Sequence, residues 1–500
     1  MLLTATIFAP LVGALLLALV PARAANLAKL VALVASLVTL GLAVALAVAF
    51  DPAKPGFQLG SSAEWVASLG IGYRVGVDCI SLPLVLLTAV LTPLAVAGSW
   101  RMTDRVRGYL AAMLVLETAV LGVFSALDLF LFYIFFDAVL IPSYFMIGVW
   151  GGQRRVAAAI KFFLYTLTGG LLMLVGILGL YYLQRKAGGE PTFDYEVLRD
   201  LPKSVGAQRW IFLGFFAAFA VKTPLFPFHS WLPDAYTEAP PTTTVLLAGV
   251  LSKMGIYGFL RMCLPMLPDA ARDFEPLILV LAVTGILYAA VVAAGQRDFN
   301  RLVAYSSISH MGFMALGTFA FALQGIQGAV FYMVAHGIIV GGLFLMIGML
   351  RDRVDTLAID QYGGLQKAAP RMAGVMLLLS LASAALPGLV GFVGEFLVLL
   401  GAFLHNRVAA VLAAGGVILG AVYILWAYQR MWQGRLDERH RGLGDLSRRE
   451  WAILGPVVAA ILVLGLLPGP LLDRVEPAAR QIVERLAPET TGTSAAEASP

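Results

Sequence analysis

The sequence predicts an all-α polytopic membrane protein of about fourteen transmembrane helices. Three observations carry that prediction. Apolar runs of about 18 residues or more recur from one end of the chain to the other, and such runs read as membrane helices. Charged residues make up only 13% of the chain and hydrophobic ones 60%, whereas a soluble domain is about one quarter charged. The lysines and arginines sit in the loops between runs and in the C-terminal tail, except Lys161, Lys222 and Lys253. No basic stripe remains to serve a nucleic-acid partner.

The first run, Met1 to Val20, is followed by Pro-Ala-Arg-Ala-Ala, which resembles a signal-peptide cleavage site. No positive side chain precedes it and a second apolar run follows at once, so an uncleaved first span is expected. The spans then read 2–21, 28–49, 79–100, 108–126, 129–150, 156–183, 208–228, 242–262, 276–295, 301–322, 326–350, 371–404, 408–432 and 451–471. Segment 371–404 is too long for one straight span and contains Leu386-Pro387-Gly388, Gly391 and Gly394. A broken helix is expected there. The seventh span carries Pro224 and Pro227 and should be interrupted as well. Residues 472–489 read as a short amphipathic helix, and the small, polar residues 491–500 as a disordered tail. Cys79 and Cys263 are too few for a disulfide framework or a metal cluster and read as packing residues.

Breaks in spans seven and twelve lie five spans apart. That spacing suits two five-helix repeats, 108–262 (spans 4–8) and 276–432 (spans 9–13). An odd number of helices per repeat inverts the second against the first. A three-helix segment, 1–107, precedes the repeats, and a last span with its amphipathic tail, 451–490, follows them. One set of alternate loops holds 19 lysines and arginines and the other 10. The positive-inside rule places the richer set in the cytoplasm, with both termini on the outer side.

An ionisable side chain at mid-span costs about 2.5–3.5 kcal/mol on insertion scales. Such groups persist where they pair or line water. Seven are expected inside spans: Glu117, Asp137, Lys222, Lys253, His310, His336 and Glu395. Counted along their helices they share one depth. Burial disfavours the charged form of any ionisable group, while an opposite charge at about 4 Å returns about 4 kcal/mol at an effective dielectric of 20. Making or breaking one ion pair thus decides whether a buried base holds its proton. Histidine suits such a layer, because its ordinary pKa lies near neutrality. Duller readings stand beside these. Asp137 and Lys222 can form a static pair, Lys161 can snorkel to the interface, and His310 can be a packing histidine satisfied by Ser306, Ser307 or Ser309. Asp128 reads as a helix cap, Glu238 as part of a turn, His229 as a partner of the helix break, and His405 and His440 as solvated loop residues.

The run Val221–Ala235 (Val-Lys-Thr-Pro-Leu-Phe-Pro-Phe-His-Ser-Trp-Leu-Pro-Asp-Ala) resembles the seventh-span motif of the antiporter-like membrane subunits of respiratory complex I. Mrp-type antiporter and membrane hydrogenase subunits belong to the same family. Glu238-Ala239-Pro240, Leu251-Ser252-Lys253 and Tyr305–Gly312 extend the resemblance, which covers essentially the whole chain. Gly391-Phe392-Val393-Gly394-Glu395-Phe396 resembles the one branch with glutamate in the twelfth span, where sister branches carry lysine. The long lateral helix of the L-type branch is not expected.

The resemblance implies a fourteen-helix fold with two inverted repeats and a proton-translocating role in NADH–quinone oxidoreductase. It makes Lys222 the central proton-carrying lysine, held by a carboxylate on span five. Lys253 would connect toward His310 and His336, and Glu395 would be the exit-side carboxyl. No cofactor is expected in this chain; NADH, FMN, iron–sulfur clusters and quinone are expected in partner subunits. Expected partners are antiporter-like neighbours of the L and N types, small subunits of the K and J types, and the lipid of a bacterial inner membrane. One departure is that Asp137 stands where the family usually has glutamate, so contact with Lys222 is expected to be longer or bridged by water. Rival readings are an Mrp-type cation/proton exchanger, a hydrogenase membrane subunit, and a structural spacer, which would gain nothing from the insertion cost of the buried charges.

Overall fold

The structure is a computed structural model describing residues 1–54, 56–354 and 356–487. The expected disordered segment 491–500, and residues 488–490 of the amphipathic tail, lie outside the described residues. Helices fill every expected span. In chain order they are α1 (Leu2–Leu19), α2 (Ala25–Ala49), α3 (Ser81–Gly98), α4 (Val106–Ser125), α5 (Leu129–Ala138), α6 (Leu140–Trp150), α7 (Arg155–Lys186), the short α8 (Tyr195–Asp200), α9 (Val205–Lys222), α10 (Trp231–Glu238), α11 (Pro241–Leu246) and α12 (Lys253–Gly258). There follow α13 (Pro268–Ala294), α14 (Phe299–Thr318), α15 (Leu323–Arg351), α16 (Pro370–Ser383), α17 (Val390–His405), α18 (Arg407–Trp432), α19 (Arg448–Leu466) and α20 (Gly469–Leu486).

Among the described residues, eleven helical stretches are long and apolar enough to cross a membrane on their own. The other three expected spans are helical but shorter or more polar. They are α9, which ends on a lysine, α14, which carries three serines and a histidine, and the divided pair α16 and α17. Lys222, the three serines and His310 of α14, Ser380, Ser383 and Glu395 face inward, as an apolar solvent requires. Large apolar side chains such as Leu15, Leu16, Val34, Val38, Val411 and Ile418 face outward. That pattern suits lipid and would be an aggregation patch in water. Helix α15 and the stretch 241–263 are wholly enclosed by their neighbours, whereas α1, α2 and α19 lie at the periphery.

Two departures from the sequence reading are local. The stretch 51–78 holds an antiparallel hairpin of β1 (Gln58–Val66) and β2 (Ile71–Val77), so the chain is not wholly helical. The apolar alternation Ile71, Tyr73, Val75, Val77 is a strand pattern. Gly70 turns the hairpin with φ 72°, and a Cβ there would strike the backbone of Pro191. His440, expected in solvent, is buried instead. Its ring stacks on Tyr362 at 5.4 Å and its Nε2 lies 3.1 Å from the Gln361 carbonyl. His405 does end an exposed helix terminus, 3.0 Å from Glu275. Cys79 and Cys263 are free and buried.

Local chemistry fixes the helix ends near the core. Asp128 caps α5, accepting from Phe130 N and Leu131 N at 3.0 and 3.1 Å, and pairs with Arg74 at 2.6 Å. Such a cap contributes about 1 kcal/mol. In α20 the buried residues Val475, Ala479, Ile482 and Leu486 recur at helical spacing. This face packs on α13 and α15. Arg272 donates to the Leu486 carbonyl at 2.9 Å, and Arg485 pairs with Asp200 at 2.9 Å.

Spans seven and twelve are both broken, and both breaks open with the same backbone pattern. Thr223 N bonds Phe219 O at 2.8 Å, then Leu225 N reaches back five residues to Ala220 O at 2.9 Å. Ala384 N bonds Ser380 O at 2.9 Å, and Leu386 N reaches back five residues to Leu381 O at 3.0 Å. Backbone freed at such breaks is tolerated in a membrane only against protein or a wet cavity.

Candidate functional site

Span five runs helical from Leu129 to Trp150, with one irregular turn at Val139, where Pro142 has no N–H to donate to Ala138. Asp137 stands two residues before this turn, half-buried, with its Oδ1 lacking a hydrogen-bond partner. Helix α7 approaches closely through Gly170, where a Cβ would meet the Asp137 carboxylate. Lys222 is the last residue of α9, fully buried beside the span-seven break. Its Nζ lies 5.0 Å from the Phe136 ring centre and 5.8 Å from that of Phe162, an arrangement that favours a cation. No hydrogen bond holds the ammonium, and no ion pair to Asp137 closes within 4.0 Å. The two side chains thus stand as an open pair, each with a buried polar atom left without a hydrogen bond. Glu117 on α4 is buried and bonded to none of the other six.

The second half is connected. Lys253 starts α12 between two π-helical turns, Leu247–Leu251 and Phe259–Cys263. A π turn shifts the backbone bonds by one residue and frees a carbonyl, and such turns are frequent at functional sites. Here the Ala248 carbonyl accepts from Lys253 Nζ. The same nitrogen reaches Ser252 Oγ at 3.4 Å and His336 Nδ1 at 2.7 Å. The rings of His336 and His310 are 5.3 Å apart. Tyr332 Oη lies 2.6 Å from His310 Nδ1 and donates to Glu395 Oε2 at 3.0 Å. Ser383, the last residue of α16, stands 3.3 Å from His310 Nε2. Lys253, His336, His310, Tyr332 and Glu395 are all buried. The row can pass a proton by hydrogen-bond exchange, except across the gap between the two imidazoles.

Sequence reasoning missed Tyr332 and Ser383. Tyr332 had one signal, its i,i+4 spacing to His336, which sets both on one face of α15. Ser383 precedes the expected break but carried no further mark. Lys161 does more than snorkel. It pairs with Asp234 on α10 at 2.8 Å, and Asp234 also meets Arg301 of α14 at 3.3 Å. Next to them Tyr165 Oη lies 2.9 Å from Ser230 Oγ. Glu238 accepts from Arg154 N at 2.9 Å at the turn that ends α10. Among the described residues no group of three or more His, Cys, Asp or Glu is placed to hold a metal ion.

A bundle of membrane helices with divided spans around buried lysines, histidines and carboxylates has the form of an antiporter-like membrane subunit. The family model for "NADH:quinone oxidoreductase/Mrp antiporter, TM" matches residues 126–420, and the chain belongs to that family, within its subunit M branch. It is 44% identical to NADH-quinone oxidoreductase subunit M of Rhodobacter capsulatus, over 97% of this chain and 96% of that one. Among solved structures, a chain of respiratory complex I from Thermus thermophilus superposes with a TM-score of 0.90 at 35% identity, over 98% of this chain and 100% of that one. A chain of the Mrp complex from Dietzia gives a TM-score of 0.82 at 22% identity, over 96% of this chain and 51% of that one. At that identity the likeness is one of fold.

Proposed function

We propose that this chain is a proton-translocating membrane-arm subunit of an NADH–quinone oxidoreductase. Quinone reduction in partner subunits drives proton movement through the buried axis Glu117, Asp137, Lys222, Lys253, His336, His310 and Glu395. The observation that carries the proposal is the row of buried groups from Lys253 to Glu395, hydrogen-bonded from Lys253 to His336 and from His310 through Tyr332 to Glu395, set beside the open Asp137–Lys222 pair. Charge arriving at one end closes or opens that pair. The change is felt at Lys253 through low-dielectric protein, where screening is weak. NADH, FMN, iron–sulfur clusters and quinone belong to partner subunits, so this chain handles protons only. The L- and N-type antiporter-like subunits and the small K and J types are its proposed neighbours.

In this reading the halves 108–262 and 276–432 are inverted repeats, each with one broken helix. The matching backbone pattern at the two breaks supports the pairing of Thr223 with Ala384 and of Leu225 with Leu386. The proposed location is the bacterial inner membrane, with both termini on the outer side. Glu395 in place of lysine favours this reading over an Mrp-type cation exchanger.

Proton uptake per NADH oxidised, measured in the reconstituted complex, tests the proposal. Lys222→Ala should lower it sharply, and unchanged stoichiometry would refute the role of the axis. At Asp137 the chemistry matters more than the length. Asp137→Glu should keep pumping and Asp137→Ala should lose most of it. Normal pumping by the alanine variant would remove Asp137 from the mechanism.

A further inference from the structure

We infer that the Tyr332 hydroxyl is itself a proton-carrying link of the axis, passing a proton between His310 and Glu395. The inference rests on the proposed translocation reading and adds a residue to it. A phenol has one proton to donate and lone pairs to accept with. In this structure both capacities are used, toward His310 Nδ1 at 2.6 Å and Glu395 Oε2 at 3.0 Å. The imidazole and the carboxylate are therefore separated by two hydrogen bonds in series, too far for direct transfer. The hydroxyl oxygen is the atom between them.

Two polarities of this row are chemically complete. In the first, His310 is an imidazolium whose Nδ1–H donates to Tyr332 Oη, and Tyr332 donates to the Glu395 carboxylate. In one concerted exchange the Nδ1–H bond breaks as a new O–H bond forms on Tyr332. The original phenolic proton moves to Glu395 Oε2. His310 ends neutral, Glu395 ends as the acid, and Tyr332 remains a neutral phenol. Now Glu395 donates to Tyr332 and Tyr332 donates to His310 Nδ1. One proton has crossed, and no charge has been left on the phenol.

The packing holds this geometry. The Tyr332 ring meets the His310 ring edge-on at 5.8 Å, with an interplanar angle of 89°. Gly394, next to Glu395, allows α17 to lie against Tyr332: a Cβ there would come 2.7 Å from the Tyr332 Cβ. Ser383, at the edge of the span-twelve break, lies 3.3 Å from the other histidine nitrogen. The ionisable groups around the phenol are His310 on α14, His336 on its own helix, Glu395 on α17 and Tyr423 on α18.

The test uses the whole complex in liposomes, with proton uptake per NADH oxidised as readout. Tyr332→Phe keeps the ring and deletes the link; uptake is expected to fall at least about tenfold, as it does in Glu395→Gln measured alongside. Site-specific replacement of Tyr332 by 3,5-difluorotyrosine keeps both hydrogen bonds but makes the phenol more acidic. A carrier then shifts the pH dependence of pumping, and a mere brace leaves it as in the wild type. Normal pumping by Tyr332→Phe with failure of Glu395→Gln overturns this inference and leaves the axis standing. Normal pumping by both overturns the axis as well. An unshifted pH profile with difluorotyrosine overturns the carrier role whatever the phenylalanine variant does, so the inference stays falsifiable even where that variant does not assemble.

Discussion

Lys253→Met is expected to slow proton pumping in the reconstituted complex at least about tenfold, equivalent to about 1.4 kcal/mol or more of added barrier. The reason lies in what the ammonium touches. It has three N–H bonds and three acceptors around it: the Ala248 carbonyl freed by the π turn, Ser252 Oγ and His336 Nδ1. Only His336 can take its proton and hold it. A proton given to His336 Nδ1 makes an imidazolium whose Nε2 has no hydrogen-bond partner, with the His310 ring 5.3 Å away. Methionine fills a similar volume, so the enclosed helices keep their packing while the base disappears. Lys253→Arg separates charge from proton release. Guanidinium keeps the cation but does not deprotonate in proteins. Both variants should assemble, as seen by native gel electrophoresis, and neither should pump at the normal rate. Wild-type pumping by Lys253→Arg would reduce Lys253 to a fixed charge.

What the sequence made legible follows the range of the physics involved. Apolar runs and Pro-Gly breaks are local, so the spans and the interruptions at Pro224–Pro227 and Leu386–Gly388 could be read directly. Pro142 is one more proline tolerated in a membrane helix, and it leaves only an irregular turn at Val139. The π turns around Lys253 have no residue signature, because they come from how 241–263 packs inside the bundle. Charged residues announced themselves by the expense of burying them, which is why Lys222, Lys253, Glu395 and both histidines were found. Tyr332 is apolar enough to pass for core, and only the partners brought by α14 and α17 mark it out. His440 was misjudged for the opposite reason. Its surroundings in sequence are polar, and the cover comes from Tyr362, 78 positions away.

The largest effect on stability is expected far from the axis, at Asp78. Its carboxylate is paired with Arg261, and the two side chains are only 8% and 10% exposed, so solvent does little to screen them. Asp78 also accepts from Ile80 N at 3.1 Å and Ser81 N at 2.9 Å, which starts α3. Arg261 sits in the second π turn of span eight, between the rings of Phe57 at 5.1 Å and Tyr257 at 5.3 Å. Removing the carboxylate leaves a guanidinium with no other anion paired to it among the described residues, at a cost of about 3–5 kcal/mol. Losing the start of α3 adds about 1 kcal/mol. Asp78→Asn keeps an acceptor for the two amides and should show the first cost alone, whereas Asp78→Ala should show both. The paired replacement Asp78→Asn with Arg261→Met removes both charges together and should recover most of the loss, because a buried ion pair exchanged for apolar packing is often neutral. Thermal unfolding of the purified complex in detergent, followed with a thiol-independent dye, checks the series. An Asp78→Asn midpoint equal to the wild type would mean that Arg261 finds its compensation elsewhere, in the rings that flank it.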